Sequence, residues 1–365
     1  MALELTDEER VARARADLRI GAPIALISAS GGAIALASET VSAERLTELR
    51  ALSPDLDLAV SHRRAETLKA RAYDGDVARI ALPADVGLNW VQATADPSLD
   101  LANPLRGPYR TRRDGPADLH RLAIALCKQA RLLPAALVLP MTVEATARLA
   151  TEAQLTVLDE MLVHRAADAA IAMHRVSGAR VPTRFAEAGR VHVFRPEDGA
   201  EEHYAVEVGS PDRGEPVLSR LHSACFTGDV IGSLKCDCGP QLSAAMDQIA
   251  EAGAGVLLYM NQEGRGIGLA NKMRAYALQD QGYDTVEANH RLGFEDDERD
   301  FRLGAEILKA LGFSSVRLMT NNPGKLAMME ASGVAVAERV PLKVGETTQN
   351  RAYLATKASK SGHLL

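Results

Sequence analysis

Three cysteines in the second half of this 365-residue chain have the spacing of a metal site. Cys225 precedes Cys236 by one short loop, and Cys238 follows Cys236 after a single residue. Thiolates are soft ligands that suit zinc, and three protein ligands rather than four are typical of catalytic zinc sites. The alternative is three buried free cysteines, which are common in cores. The turn signal Gly239-Pro240 directly after Cys238 favours the metal site.

The composition limits the classes of protein to which the chain can belong. Hydrophobic residues make up 47% and charged residues 25%, which is ordinary for a globular protein, and the length of 365 residues suits two or three domains. The net charge of −6 argues against a general nucleic-acid binder. Four cysteines suit a reducing compartment, and neither a signal core nor a bilayer-spanning segment is visible. We therefore expect a cytoplasmic protein without membrane or nucleic-acid partners.

The first half alternates strand and helix signals and predicts an α+β or three-layer α/β domain. Helices are expected after the cap at Thr6, after Ser42, over 118–131 and over 156–174, with strands near 23–27, 33–37, 56–60, 78–82 and 135–139. Cys127 is interpreted as a core residue, and His120 and His164 as surface residues. The segment Val176–Arg180, followed by Pro182, is read as the domain boundary.

The second half predicts a mixed sheet with two phosphate-binding turns. Strands are expected over 190–194, 203–208, 217–222, 255–259 and 317–320, with helices over 241–250 and 270–281. The loop Gln262–Gly268 suits close backbone approach to a nucleotide, although many such loops are merely turns. Glu263 could accept hydrogen bonds from guanine, and Arg265 could contact phosphate. Thr320 and Lys325 flank a second tight turn.

Several motifs together resemble the GTP cyclohydrolase II family from about Ala179 to Leu365. They are Arg220-Leu-His-Ser, Cys225-Phe-Thr-Gly-Asp229, Cys236-Asp-Cys-Gly239, Gln262-Glu-Gly-Arg-Gly-Ile-Gly-Leu269, Arg274-Ala-Tyr-Ala-Leu-Gln-Asp280, Asp284-Thr-Val-Glu-Ala-Asn289, Asp297-Glu-Arg-Asp-Phe301, Thr320-Asn-Asn-Pro323 and Gly362-His-Leu-Leu365. The resemblance implies hydrolysis of GTP to 2,5-diamino-6-ribosylamino-4(3H)-pyrimidinone 5′-phosphate, formate and pyrophosphate, the first step of riboflavin biosynthesis. It also implies one zinc ion per chain, magnesium with the triphosphate, and a homodimer.

The resemblance assigns roles to individual residues. It implies that zinc is held by Cys225, Cys236 and Cys238, and that the catalytic residues are Tyr276, Asp297 as proton acceptor and Arg299 as nucleophile. The implied GTP contacts are Arg220, Leu221, His222, Ser223, Gln241, Glu263, Gly264, Arg265, Thr285, Thr320 and Lys325. Because arginine stays protonated and is a poor nucleophile, we expect Arg299 mainly to stabilise charge at the α-phosphate. Three positions depart from residues common in the family, namely Ala224, Lys235 and Asn261, and put rate and product in question.

The first half resembles 3,4-dihydroxy-2-butanone 4-phosphate synthase, from about Thr6 to Arg165. The similarity lies in Gly21-Ala-Pro-Ile-Ala-Leu26, Ala37-Ser-Glu-Thr-Val-Ser-Ala43, Asp96-Pro97 and Leu132-Leu-Pro-Ala-Ala-Leu-Val138. The family's acidic loop corresponds here to Ser28–Gly32, its Gly-His-Thr motif to Gly115-Pro116-Ala117, and a later glutamate to Pro140. Magnesium needs oxygen ligands and proton transfer needs an acid and a base, so this half is expected to be non-catalytic.

The sequence thus predicts two domains, a degenerate synthase-like domain over 1–175 and a GTP cyclohydrolase II domain over 179–365. Three alternatives remain open. The chain could be a bifunctional enzyme with an active synthase, a pseudoenzyme that binds GTP or holds zinc structurally, or a relative that acts on GTP in another pathway.

Overall fold

The computed structural model of the chain describes residues 3–168, 172–348 and 350–351. They form two compact units. The first unit combines Met1–Ala169 with Ala270–Asp297, and the second combines Ala170–Leu269 with Glu298–Leu365. In the described part of the chain, no helix has the length and apolar character needed to cross a membrane.

The first unit is built on a six-stranded mixed sheet. Its strands are β1 (Ile24–Ser28), β2 (Gly31–Ala37), β3 (Asp57–Ser61), β4 (Val77–Ala81), β5 (Ala135–Met141) and β6 (Thr156–Asp159), in the order β4-β3-β5-β2-β1-β6. β1 pairs antiparallel with β2 and parallel with β6. The apolar runs that predict β1, β2 and β5 supply strands that are almost wholly buried.

Seven helices follow one another in the first segment of this unit. They are α1 (Asp7–Arg19), α2 (Ala43–Leu52), α3 (His62–Leu68), α4 (Leu88–Ala95), α5 (Asp118–Gln129), α6 (Val143–Glu152) and α7 (Glu160–Asp168). The predicted capping box of α1 is confirmed, because Thr6 Oγ1 accepts from the Glu9 amide and the Glu9 carboxylate accepts from the Thr6 amide. α5 buries the apolar stripe that predicts it, and Cys127 lies in the core as expected. Burial raises the pKa of the Cys127 thiol to about 12.

The second unit is built on a mixed sheet, as the sequence predicts, and this sheet has seven strands. Its strands are β7 (Met173–Arg180), β8 (Gly189–Pro196), β9 (His203–Val208), β10 (Val217–Ser223), β11 (Gly255–Met260), β12 (Ser315–Met319) and β13 (Ala335–Val340), in the order β13-β12-β10-β11-β9-β8-β7. β10 runs parallel to both β11 and β12, whereas β9 is antiparallel to β11. The fold class is therefore mixed α/β on two sheets.

Five further helices lie in the rest of the described chain. α8 (Cys238–Glu251) belongs to the second unit and buries Ala245, Met246 and Ile249. α9 (Leu269–Asp280), from its second residue onward, and α10 (Thr285–Leu292) lie in the segment that groups with the first unit. Within that unit Arg274 forms ion pairs with Glu39 and Asp96, and Ser61 Oγ donates to the carbonyl of Gly293 at 2.7 Å. α11 (Arg302–Ala310) and α12 (Pro323–Ala331) return to the second unit.

Two sequence predictions about the region between the halves were wrong. The expected long helix over 156–174 is instead strand β6 followed by helix α7 up to Asp168. Thr156 to Asp159 become a strand because they pair in parallel with β1, a contact that local propensity cannot reveal. The expected linker Val176–Arg180 lies in β7, where antiparallel pairing with β8 satisfies its backbone. The functional division into 1–175 and 179–365 stays a prediction.

His120 is buried, which contradicts its prediction as a surface residue. It is 4% exposed, and its Nε2 lies 3.2 Å from Asp57 Oδ2, whose other oxygen accepts from Arg112 Nε at 2.8 Å. A carboxylate on a distant strand compensates the buried ring, and helix periodicity gives no sign of it. His164 is exposed, as predicted.

Candidate active site

The candidate site of the second unit lies at the carboxyl ends of three parallel strands. β10 is flanked by β11 and β12, so the residues that follow these strands meet at one edge of the sheet. β10 ends in His222 and Ser223, β11 leads into Gln262–Gly268, and Thr320 follows β12. Crevices at the carboxyl ends of parallel strands are the usual ligand sites of open α/β sheets.

The three predicted metal ligands come together in this unit. The sulfur atoms of Cys225, Cys236 and Cys238 all lie within 4.8 Å of one another, and Cys225 Sγ is 3.7 Å from Cys236 Sγ. Among the described residues they form the group of donors that could hold a metal ion. Hydrogen bonding to Cys225 raises the pKa of both Cys236 and Cys238 above the ordinary value. Thiols this crowded favour a bound cation over three separate thiolates, so the donor set fits a soft metal.

Gly228 makes room for the three sulfur atoms. A Cβ at this position would lie 2.8 Å from Cys236 Sγ, 2.9 Å from Cys238 Cβ and 3.1 Å from Cys225 Sγ. The Gly228 amide also points at Cys225 Sγ, 3.4 Å away. Any side chain here would push the ligands apart.

His222 belongs to a buried polar network beside Cys225. Its Nε2 lies 3.1 and 3.0 Å from the two oxygens of Asp229, and the Tyr259 hydroxyl donates to Asp229 Oδ2 at 3.0 Å. The amide of Cys225 donates to the same oxygen at 3.0 Å. Burial lowers the pKa of His222, whereas burial and the neighbouring Asp229 carboxylate raise the pKa of Tyr259. At neutral pH the ring is therefore an uncharged imidazole and the phenol a hydrogen-bond donor.

Arg220 carries a buried positive charge that is tied to the metal loop. Its Nη2 donates to Gln241 Oε1 at 2.6 Å, and Gln241 Nε2 donates to Asp237 Oδ2 at 2.5 Å. Asp237 lies between the two ligands of the Cys-x-Cys pair, and Arg220 Nη1 donates to the carbonyl of Met319. Burial lowers the pKa of Arg220 to about 10, so the guanidinium stays charged at neutral pH.

The predicted glycine-rich loop forms a tight turn with unusual backbone geometry. Gly264 and Arg265 both adopt the left-handed conformation, with φ of 64° and 62°. For arginine this conformation is uncommon and is typical of functional sites. The Glu263 carboxylate accepts from the amide of Gly264 at 2.9 Å and from that of Phe226 at 2.6 Å, which joins this loop to the loop of the metal ligands.

Three of the remaining predicted contacts surround the end of β10. Arg299 Nη1 donates to Ser223 Oγ at 3.2 Å, and Lys325 Nζ donates to the carbonyl of Leu221 at 3.2 Å. Thr320 is buried and accepts from the amide of Asn322, which caps α12. Fourteen predicted residues belong to the second unit: Arg220, Leu221, His222, Ser223, Cys225, Cys236, Cys238, Gln241, Glu263, Gly264, Arg265, Arg299, Thr320 and Lys325.

Tyr276, Thr285 and Asp297 belong to the segment that groups with the first unit. The ammonium of Lys272 lies 5.6 Å from the centroid of the Tyr276 ring, one turn away on α9. Thr285 opens α10 after the cap residue Asp284, and its hydroxyl accepts from Gln279 Nε2 at 3.2 Å. The roles expected of these three residues stay predictions.

Asp229 and Tyr259 were missed as functional candidates. Asp229 stands in the quoted motif Cys225-Phe-Thr-Gly-Asp229, and its spacing from the cysteine is the signal that could have identified it. Tyr259 reads as an ordinary aromatic residue of a buried strand, and only its hydroxyl contact reveals its place in the network.

Of the three positions that depart from the family pattern, two make local hydrogen bonds and one is exposed. Asn261 Nδ2 donates to the carbonyl of Glu202, and its amide donates to His203 Nδ1 at 3.0 Å. The amide of Ala224 donates to the carbonyl of Met260 at 2.7 Å. Lys235 is exposed in the loop before Cys236. The fold and site together define a mixed α/β protein with a cluster of three thiols, at the carboxyl ends of parallel strands, that could hold a metal ion.

Comparisons with known proteins identify the family. A family model described as GTP cyclohydrolase II matches residues 174–341. GTP cyclohydrolase-2 of Azospirillum brasilense is 44% identical over 372 residues, covering 97% of this chain and 93% of that protein. GTP cyclohydrolase-2 of Cronobacter sakazakii is 55% identical over 193 residues, covering 53% of this chain and 98% of that protein. This chain belongs to the GTP cyclohydrolase II family.

A likeness among solved structures is weaker. A two-domain 3,4-dihydroxy-2-butanone 4-phosphate synthase from A. baumannii superposes with a TM-score of 0.32 and 16% identity, covering 91% of this chain and 99% of that chain. A score this low supports no inference about this chain, so the synthase-like character of the first half rests on the sequence resemblance.

The substitution Gly228→Ala tests the packing of the three thiols. We expect it to reduce bound metal by at least about tenfold in affinity, because the added methyl group would displace the ligands. Gly214→Ala is the matched control, since a Cβ there meets only Asp212 Oδ1 at 3.5 Å. Competition with a chromogenic chelator measures both. Equal affinities in the two variants would contradict the packing argument.

Proposed function

We propose that this chain hydrolyses GTP to 2,5-diamino-6-ribosylamino-4(3H)-pyrimidinone 5′-phosphate, formate and pyrophosphate, the first step of riboflavin biosynthesis. The observation that carries the proposal is the three-thiol cluster beside Arg220 and His222 at the carboxyl ends of β10, β11 and β12. Membership of the GTP cyclohydrolase II family supports it. The proposed metal is zinc, held by the three thiolates. Bound zinc would act as a Lewis acid and activate water for hydrolysis.

Positively charged side chains would bind the triphosphate. Arg220 and Lys325 are buried cations near the end of β10, and Arg265 lies in the glycine-rich turn. These side chains supply local positive charge although the chain as a whole has a net charge of −6. Magnesium is proposed to accompany the triphosphate. The remaining proposed GTP contacts are Leu221, His222, Ser223, Gln241, Gly264, Thr285 and Thr320.

Glu263 would recognise the guanine base. A carboxylate can accept from the N1–H and the exocyclic amine of guanine. Glu263 already accepts from two backbone amides, but two carboxylate oxygens have capacity for about four hydrogen bonds. The bonds to Phe226 and Gly264 would hold the carboxylate still for recognition.

Tyr276 is proposed to donate or relay a proton, and Asp297 to accept one.

The proposed assembly is a homodimer and the proposed location is the cytoplasm. Family resemblance supports the first, and the cysteine usage supports the second. Sedimentation velocity of the full chain tests the assembly, and a single species at the mass of one chain would contradict it.

Zinc-loaded full-length protein should release formate from GTP in the presence of magnesium. Mass spectrometry should identify the ribosylaminopyrimidinone phosphate, and Cys236→Ser should lower metal content and reduce turnover by more than about 100-fold. Cys127→Ala is the control, because Cys127 lies in the core of the first unit. A product that retains its formyl group, or binding of zinc and GTP without turnover, would contradict the proposal.

Arg299 is proposed to stabilise charge at the α-phosphate rather than to attack it. Its guanidinium lies beside Ser223, and arginine stays protonated in proteins. We expect Arg299→Ala to lower kcat by about 10²–10³-fold and Arg299→Lys to keep part of the activity. Rapid quenching followed by intact-mass measurement should find no guanylyl adduct on the wild type. A trapped adduct on Arg299 would overturn this role.

The first half, over residues 1–175, is proposed to be a non-catalytic synthase-like domain. The loop Ser28–Gly32 contains no acidic residue of its own. One carboxylate from elsewhere reaches it, because Ser30 Oγ donates to both oxygens of Asp118 at 2.8 and 2.7 Å. A single carboxylate bonded to serines supplies few of the oxygen ligands that magnesium needs. We expect the full-length protein with magnesium to leave ribulose 5-phosphate unchanged, as followed by NMR. Enzyme-dependent consumption would show an active synthase.

A further inference from the structure

Asp229 is a buried carboxylate on which three different parts of the second unit converge. Its side chain is 3% exposed. It accepts from His222 on β10, from the Tyr259 hydroxyl on β11, and from the amide of the metal ligand Cys225. The turn that carries it is closed by its own amide, which donates to the carbonyl of Cys225 at 2.7 Å. None of the roles assigned above uses this side chain.

The chemistry of a carboxylate determines how His222 is oriented. An ionised carboxylate can only accept hydrogen bonds, so the hydrogen between His222 and Asp229 belongs to Nε2 of the ring. The ring also stacks on Tyr259, with centroids 5.6 Å apart and planes inclined by 22°. Among the described residues, the side-chain hydrogen bonds shown for His222 are made by Nε2, which contacts both oxygens of Asp229. The ring therefore presents a fixed acceptor atom at Nδ1.

We propose that Asp229 is a positioning residue that holds the metal ligand Cys225 and the His222 ring in register, with Tyr259 holding Asp229. The carboxylate fixes the Nε2–H tautomer of His222, which leaves Nδ1 to accept a hydrogen bond from an N–H group of a purine nucleotide. The same carboxylate holds the main chain of Cys225. The metal part of this inference stands on the thiol cluster alone, whereas the nucleotide part rests on the proposed function.

Two variants test the Asp229 carboxylate and the Tyr259 hydroxyl that donates to it separately. Asp229→Asn keeps the shape but turns one acceptor into a donor that faces other donors. Tyr259→Phe removes only a hydroxyl and keeps the stacked ring. Tyr204→Phe is the matched control, because Tyr204 stacks on Tyr259 at 6.4 Å and its hydroxyl lies outside the network.

The readouts are zinc affinity by chelator competition, the ¹⁵N shifts of His222 in zinc-loaded full-length protein, and KM and kcat for formate release. Asp229→Asn should weaken zinc binding about 10–100-fold and abolish the predominance of the Nε2–H tautomer. Tyr259→Phe should weaken zinc binding about 2–10-fold, as expected for one hydrogen bond. Tyr204→Phe should match the wild type. Loss of His222 orientation should raise KM more than it lowers kcat.

Unchanged zinc affinity and an unchanged His222 tautomer in folded Asp229→Asn protein would overturn the proposal. If Asp229→Asn does not fold, the Tyr259→Phe variant provides the test. Wild-type zinc affinity and a wild-type His222 tautomer in Tyr259→Phe would then overturn the proposal. Zinc affinity and ¹⁵N shifts do not depend on turnover. Absence of formate release from the wild type would therefore contradict the proposed function and leave this test intact.

Discussion

The crowding of three cysteine sulfur atoms, which would repel one another as thiolates, is the constraint on which the candidate site depends. Two unit charges about 4 Å apart repel by about 4 kcal/mol near a protein surface, and three sulfur atoms here lie within 4.8 Å of one another. Only protons or a cation can relieve this repulsion. The polypeptide brings the sulfur atoms together through a glycine at position 228, where no side chain would fit. The three cysteines therefore form a donor set that could hold a metal ion.

The parallel strands connect this cluster to the charges that would meet a nucleotide. Asp237 lies between two cysteine ligands and binds Gln241, which in turn holds Arg220 on β10. On the other side, Glu263 joins the glycine-rich turn to the amide of Phe226, the residue after Cys225. The three cysteines, the buried arginine and the glycine-rich turn are therefore linked by hydrogen bonds as well as through the sheet. A displacement of one is expected to disturb the others.

Local patterns were sufficient for much of this molecule. The capping box at Thr6, the strands of both sheets other than β6, β7 and β13, and the Cys-x-Cys pair could be read from spacing alone. What failed depended on partners distant in sequence. β6 is a strand because of β1, and His120 is buried because of Asp57. Asp229 accepts a hydrogen bond from Tyr259, thirty residues away, and the periodicity of the sequence does not predict such a contact.

The central claim is an open metal site with three thiolate ligands, and X-ray absorption at the zinc edge tests it most directly. Zinc-loaded full-length protein should show three sulfur atoms at about 2.3 Å and one lighter donor at about 2.0–2.2 Å. Adding GTP should alter the shell of the lighter donor and leave the three sulfur distances unchanged. Four sulfur atoms, or a shell that GTP does not affect because imidazole fills the fourth position, would mean a closed structural site and would contradict the account.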